Sequence, residues 1–92
     1  MLEVSIEKHL YNEVKKRDGM AIKLDSMKGL PDRLVLTPNG KHYFVELKRP
    51  EGVLSEIQKE VHRRLIQRGH AVYTLWNINE VDRFIAEVFK NE

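Results

Sequence analysis

The sequence contains no cysteine. That excludes a disulfide scaffold and any zinc or iron–sulfur site held by thiolates. The absence fits a reducing compartment. No apolar run approaches the roughly 20 residues of a membrane span. The opening segment, MLEVSIEKHL, lacks the basic start and apolar stretch of a secretory signal. A soluble, cytoplasmic protein with no membrane partner is expected. Neither sign of charge dominates, because 16 Lys and Arg face 14 Asp and Glu for a net charge of +2. A histone-like polycation is thereby excluded, and 41% hydrophobic content excludes a disordered chain. At 92 residues there is no room for two active domains, a large cofactor fold or a (β/α)₈ barrel. One modest core is possible, marginal alone and helped by a homodimer or a bound metal. Also missing are a G-x-G-x-x-G loop, a Walker loop, a Ser-His-Asp arrangement and any H-x-x-x-H spacing among the four histidines. No nucleotide cofactor is expected.

Ile6, Leu10 and Val14 recur every four residues among polar neighbours, which predicts an amphipathic helix from about Glu3 to Arg17. Lys15, Lys16 and Arg17 suit the negative end of its dipole, and Gly19 is the expected left-handed stop. Strands are expected from Met20 to Asp25, Asp32 to Thr37 and His42 to Lys48. Lys28-Gly29-Leu30-Pro31 reads as a turn, and Pro38-Asn39-Gly40-Lys41 as a hairpin that makes the second and third strands antiparallel neighbours. After the breaker Arg49-Pro50-Glu51-Gly52, Ser55 and Gln58 fit a capping box. The second helix carries the stripe Ile57, Val61 and Leu65 and ends at Gly69. A fourth strand, His70 to Trp76, should lie parallel to the third, because a helix crossover connects them. Asn79 is the expected cap of a last helix with Asp82 at N3, and Val81, Phe84, Ile85, Val88 and Phe89 share one face of it. Core packing and a dimer contact are the two readings of that face. The order α-β-β-β-α-β-α predicts one α/β domain over residues 1–92, with helices against a mixed four-stranded sheet. Charge is uneven along it. Residues 77–92 hold two basic and four acidic residues, and the first 76 hold 14 basic and 10 acidic. The mildly basic body suits a polyanionic partner, and equally an ordinary solvated surface.

Two carboxylates and a lysine stand out. Asp32 lies seven residues before Asn39 and Glu46 six after Gly40, so the hairpin brings both to the same edge of the sheet. Alternation puts Glu46 and Lys48 on one face and turns Leu47 away. Adjacent carboxylates repel unless a cation joins them, and a hard divalent ion takes oxygen ligands while keeping several waters. Asp32, Glu46 and a backbone carbonyl such as that of Leu47 are the expected ligands of an ion such as Mg²⁺. Such an ion polarises a phosphoryl oxygen and lowers the pKa of a bound water, and Lys48 would stabilise the developing negative charge. An ordinary surface ion pair is the other reading of a Glu-x-Lys triplet in so charged a chain. Lys23, Lys28, Arg33, Lys41 and Arg49 are candidate phosphate contacts of a groove. Arg63, Arg64 and Arg68 read as a solvated helix face, and Trp76 and the tyrosines as core.

The pattern Gly29-x-Pro31-Asp32, then Glu46-x-Lys48, then a helix carrying Gln58, resembles the PD-(D/E)XK nucleases. More narrowly it is similar to a stand-alone virus-type replication-repair nuclease (VRR-NUC) domain of phage or prophage type. Val45-Glu46-Leu47-Lys48-Arg49-Pro50, followed by Leu54-Ser55 and Gln58, is the most specific part. The resemblance runs from the first helix to the last strand. It implies a restriction-endonuclease-like core of order αβββαβ, which matches the order already read. It also implies that Asp32 and Glu46 are metal ligands, Lys48 the catalytic lysine and Glu7 a further acidic ligand. Gln58 would contact the DNA backbone or hold a water. Glu7 has a plainer reading as a solvated helix glutamate, and Gln58 as the reciprocal half of the capping box.

The implied activity is Mg²⁺- or Mn²⁺-dependent endonucleolytic hydrolysis of DNA, in the cytoplasm of a bacterial host. So small a domain has little room for base-reading loops, so DNA shape is the expected determinant. Minimal stand-alone members of the family resemble Holliday-junction resolvases. A four-way junction has two-fold symmetry and needs two nicks, which a homodimer supplies. The alternatives are a flap or nicked-duplex nuclease of the same fold and a non-catalytic DNA-binding module.

Overall fold

Residues 2–90 are described by the computed structural model. Their order is α1 (Glu3–Lys16), β1 (Met20–Lys23), β2 (Arg33–Leu36), β3 (His42–Leu47), α2 (Glu56–Gln67), β4 (Val72–Leu75) and α3 (Ile78–Val88). The strands form one sheet in the order β1-β2-β3-β4, with β3 and β4 parallel and the other pairs antiparallel. Every expected element is present, and each strand is shorter at one or both ends than its apolar run suggested.

Strand alternation divides the sheet into two unlike faces. Ala21, Val35, Val45 and Leu47 point to one of them, where Ile6, Leu10 and Val14 of α1 and Val81, Phe84, Ile85 and Val88 of α3 cover it. Tyr43, Tyr73 and Phe84 meet edge-on there at ring-centroid separations of 4.9–5.9 Å. The stripe on α3 is therefore core, and burying each of its side chains contributes about 1.5–3 kcal/mol. Helix α2 packs on the opposite face over β3 and β4, so the β1–β2 half of that face has no helix above it. Met20 and Ile22 are exposed there, beside half-buried Leu34, Leu36 and Phe44.

Three local expectations change. The hairpin closes with the Thr37 N–H donating to the Lys41 carbonyl at 2.9 Å, and within it only Gly40 takes a positive φ, 89°. That is a three-residue loop with glycine at the left-handed position, not a two-residue Asn-Gly turn. At the end of α1 the left-handed residue is Asp18 (φ 61°), not Gly19. The Asp18 N–H donates to the Lys15 carbonyl and the Gly19 N–H to the Val14 carbonyl, which completes a Schellman stop. Gly19 is required for closeness instead, because a Cβ there would lie 2.8–2.9 Å from Val14, Leu36 and Phe89 atoms. Helix α3 is capped by Asn77, not Asn79. The Asn77 side chain accepts from the Glu80 N–H at 2.8 Å, and Glu80, rather than Asp82, occupies N3 and accepts from the Trp76 N–H. Asp82 instead pairs with His9 at 2.7 Å and ties α3 to α1.

Candidate active site

Arg33 lies opposite Val45 in the β2–β3 register, so Asp32, one residue earlier, lies opposite Glu46. Pro31 is buried beneath that corner, and Gly29 (φ 91°) shapes the turn before it. The Leu47 N–H donates to Asp32 Oδ2 at 2.8 Å and fixes its carboxyl against the end of β3. Glu46, 1% exposed, sits on the α2 face of the sheet. Burial first, then the neighbouring Asp32 charge, raises its pKa from the usual 4.5 to about 8, against the opposing pull of Lys48. Burial also raises Asp32, although the Leu47 hydrogen bond holds it back. The two carboxyls thus resist ionising together.

Helix α2 grips Glu46 from above. Gln58 Nε2 donates to Glu46 Oε2 at 3.2 Å, while Gln58 Oε1 accepts from the Ser55 N–H at 2.8 Å. The Gln58 N–H in turn donates to Ser55 Oγ at 3.2 Å. One side chain thus completes the capping box and holds an acidic site residue. The other oxygen, Glu46 Oε1, is buried without a hydrogen bond and lies 3.6 Å from His62 Nε2, which is likewise buried and unpartnered. Half-buried Lys48 follows on the same side of the strand, near enough for its charge to act on both Glu46 and His62.

Other expected residues lie elsewhere. Arg33 and Lys23 alternate to the α1 face of the sheet, opposite Asp32 and Glu46. Arg33 Nε donates to Glu7 Oε2 at 2.8 Å, its NH1 to the Ala21 carbonyl at 2.8 Å, and its guanidinium lies 5.5 Å from the Tyr11 ring centre. Lys23 reaches the same Glu7 oxygen at 3.7 Å. Glu7 is thus mostly buried against Arg33 and Lys23, and its charge raises the pKa of Asp32. Lys41 stands at the hairpin, the opposite end of the strands. Arg49 is exposed and 3.7 Å from Glu51, and Lys28 is exposed on the turn before Asp32.

Sequence reasoning missed three features. Glu3, in the first turn of α1, acts electrostatically on both Asp32 and Glu46. His62 faces Glu46, and its spacing four residues beyond Gln58 was the available signal. Arg64 and Arg68, with Met27, Leu30, Val61 and Leu65, line a pocket of about 140 Å³ between the turn and α2. Lys59 and Arg63 on the same helix are neutralised by Glu56 and Glu60 at 3.1 and 2.6 Å. Arg64 acts on Glu60 only through its charge, and Arg68 NH1 donates to the Arg64 carbonyl at 2.9 Å.

The fold is similar to a solved "VRR_NUC domain" with a TM-score of 0.86 and 26% sequence identity, covering 97% of this chain and all of that one. In sequence the chain is 49% identical over 75 residues to "Putative nuclease p44" of Acyrthosiphon pisum secondary endosymbiont phage 1, which spans 79% of this chain and 81% of that protein. The chain belongs to the VRR-NUC nucleases. No family profile matches it.

Among the described residues, no three Asp, Glu or His side chains converge into a ready ligand set. Asp32 and Glu46 nevertheless suit a hard ion that keeps most of its waters. They supply two adjacent carboxyls that resist ionising together, and one carboxyl oxygen is buried with nothing bonded to it. No helix among the described residues is long and apolar enough to cross a membrane.

Proposed function

We propose that this VRR-NUC domain is a divalent-metal-dependent DNA endonuclease that resolves four-way junctions as a homodimer. The observation that carries the reading is the adjacent pair of buried Glu46 and half-buried Asp32, with Lys48 on the same side. Two neighbouring carboxyls that resist ionising together are a cost to the fold that a cation at the site turns into binding energy. Mg²⁺, with Mn²⁺ able to replace it, would be held by Asp32, Glu46 and the Leu47 carbonyl, and when bound it supplies charge that polarises the phosphoryl group and acidifies water.

The chain's own residues do the rest. The Leu47 N–H and Gln58 set the directions of Asp32 and Glu46. Lys48 donates to the oxygens of the scissile phosphate as negative charge builds on them. Lys28, Arg64 and Arg68 hold the DNA backbone beside the site and give affinity without sequence preference. Glu7, held by Arg33 and Lys23, contributes through its charge on Asp32.

The homodimer rests on two features. A chain this short buries a small fraction of its surface. The uncovered β1–β2 half of the sheet, with Met20 and Ile22, offers a second copy an apolar surface on the same side as the acids. A C₂ pair formed there presents two matched sites to a two-fold junction.

Cleavage of labelled four-way junction, flap and linear duplex, with and without Mg²⁺, tests the reading when combined with sizing in the same buffer. Paired symmetric nicks in the junction by a dimer, only with Mg²⁺, are expected. A monomer that cuts flaps once overturns the resolvase reading. Binding without Mg²⁺-dependent cleavage of any substrate favours the non-catalytic module.

A further inference from the structure

His62 has no role in the reading above, yet it occupies one of the most constrained positions in the molecule. It is 6% exposed, and its Nε2 has no hydrogen bond. A buried polar atom left unpaired costs about 1–3 kcal/mol, so natural structures seldom retain one without a use. Glu46 Oε1, also buried and unpaired, lies 3.6 Å from His62 Nε2. Closing the gap by about 0.6 Å would make an ordinary N–H···O bond. An imidazole with its hydrogen on Nε2 is a donor to that oxygen.

We propose that His62, one helical turn beyond Gln58, is a positioning residue that donates from Nε2 to Oε1 of Glu46 and so fixes the carboxylate that holds the metal. Gln58 takes Oε2 and His62 takes Oε1, so the two residues at i and i+4 on α2 grip both oxygens of one side chain. Each carboxylate oxygen keeps a second lone pair for the cation. Partners of this kind orient a ligating group, and their loss typically lowers metal affinity 10–100-fold. His62 is placed as a positioning residue and not as a ligand because its Nε2 is buried and hard divalent ions prefer oxygen.

The proposal rests on the metal-binding reading, and the test separates the two. Mn²⁺ is titrated into wild-type protein, His62→Leu and His62→Gln, and the thermal midpoint of each is measured without metal. Leucine removes an unpaired polar atom at similar volume, so the metal-free midpoint should hold or rise while Mn²⁺ affinity falls at least about 10-fold. Glutamine restores a donor at the same reach and should recover affinity to within about threefold of wild type. A merely structural histidine would move the two readouts together. His62→Met, more adaptable in shape, takes the place of leucine if that variant does not fold. Wild-type binding of Mn²⁺ with equal affinity in His62→Leu overturns the role of His62 alone. A nitrogen coordinated directly to Mn²⁺ in the electron-spin spectrum overturns it in favour of ligation. Absence of Mn²⁺ binding by wild-type protein overturns the metal reading, and His62 with it.

Discussion

Charging a side chain that is 1% exposed is expensive, and Glu46 carries that expense into the stability of the whole domain. Its pKa is raised from the usual 4.5 to about 8. Between those values the folded state binds a proton that the unfolded state has lost. Stability from this group is thus fully present below about pH 4.5 and is lost as pH rises towards 8. His62 acts in the opposite sense, since burial lowers its pKa and its contribution is lost as pH falls below its usual 6.5. The fall due to Glu46 is therefore cleanest above that value. Metal-free protein should melt at progressively lower temperature from about pH 6.5 to about pH 8, and Glu46→Gln should flatten the slope. A wild-type melting temperature that does not change over that range contradicts the burial argument. Lys48→Ala should lower cleavage about 10²–10³-fold while junction affinity changes little, measured by single-turnover kinetics and titration. The carboxylate pair was legible in sequence because a hairpin at Pro38–Lys41 brings both acids to one edge of the sheet, whereas the register was not, since the three-residue loop sets Asp32 opposite Glu46 where a two-residue Asn-Gly turn would set it opposite Leu47. Arg33 follows Asp32 on β2 and so faces the other side of the sheet, by the same alternation that sets Glu46 and Lys48 together. His62 was passed over because a lone histidine has no metal spacing, and only contact with Glu46 gives it meaning.

Elements are set by backbone chemistry that single residues decide. Gly29 and Gly40 both sit at positive φ, 91° and 89°, but their surroundings differ. A Cβ on Gly40 meets nothing within 4 Å, whereas one on Gly29 would lie 2.7 Å from Val61 Cγ2 and 2.9 Å from the Ile57 carbonyl. Gly40→Ala should cost about 1–2 kcal/mol, the left-handed penalty alone. Gly29→Ala should cost about 1–3 kcal/mol more by overpacking, and should also lower cleavage because it pushes the Asp32 turn away from α2. Urea unfolding of both variants checks the order, and equal losses would contradict it. The α3 cap is a second check. Asn77→Ala should cost about 1 kcal/mol and Asn79→Ala close to nothing, the reverse of what the sequence suggested. Both asparagines satisfy the sequence signal, and the hydrogen bond to the Glu80 N–H decides between them. Helix stripes and the strand order were legible because periodicity reports burial directly. Which of two adjacent glycine-like positions takes a left-handed angle, as with Asp18 and Gly19, depends on the close approach of Val14 and Phe89 and was not.

At the scale of the molecule, two helices close one face of the sheet and a single helix half-closes the other. The open half holds the exposed Met20 and Ile22 near the acids, so a second copy seated there would add to a small core and duplicate the site at once. Ile22→Glu should give a folded monomer by light scattering and replace paired nicks with single ones. A dimer that survives this change places the interface elsewhere. The net charge of +2 is no obstacle to binding DNA, because Lys28, Arg64 and Arg68 are local cations on the site's side of the fold. Asp32→Asn should therefore still bind the junction. The central claim, hydrolysis at the Asp32–Glu46 pair, is tested most directly by cutting one labelled four-way junction with wild-type and Asp32→Asn protein, with and without Mg²⁺. Paired nicks by wild-type protein only when Mg²⁺ is present, and none by the variant although it binds, are the predicted result. Cleavage by the variant at the wild-type rate, or by either protein without a divalent ion, would contradict the account.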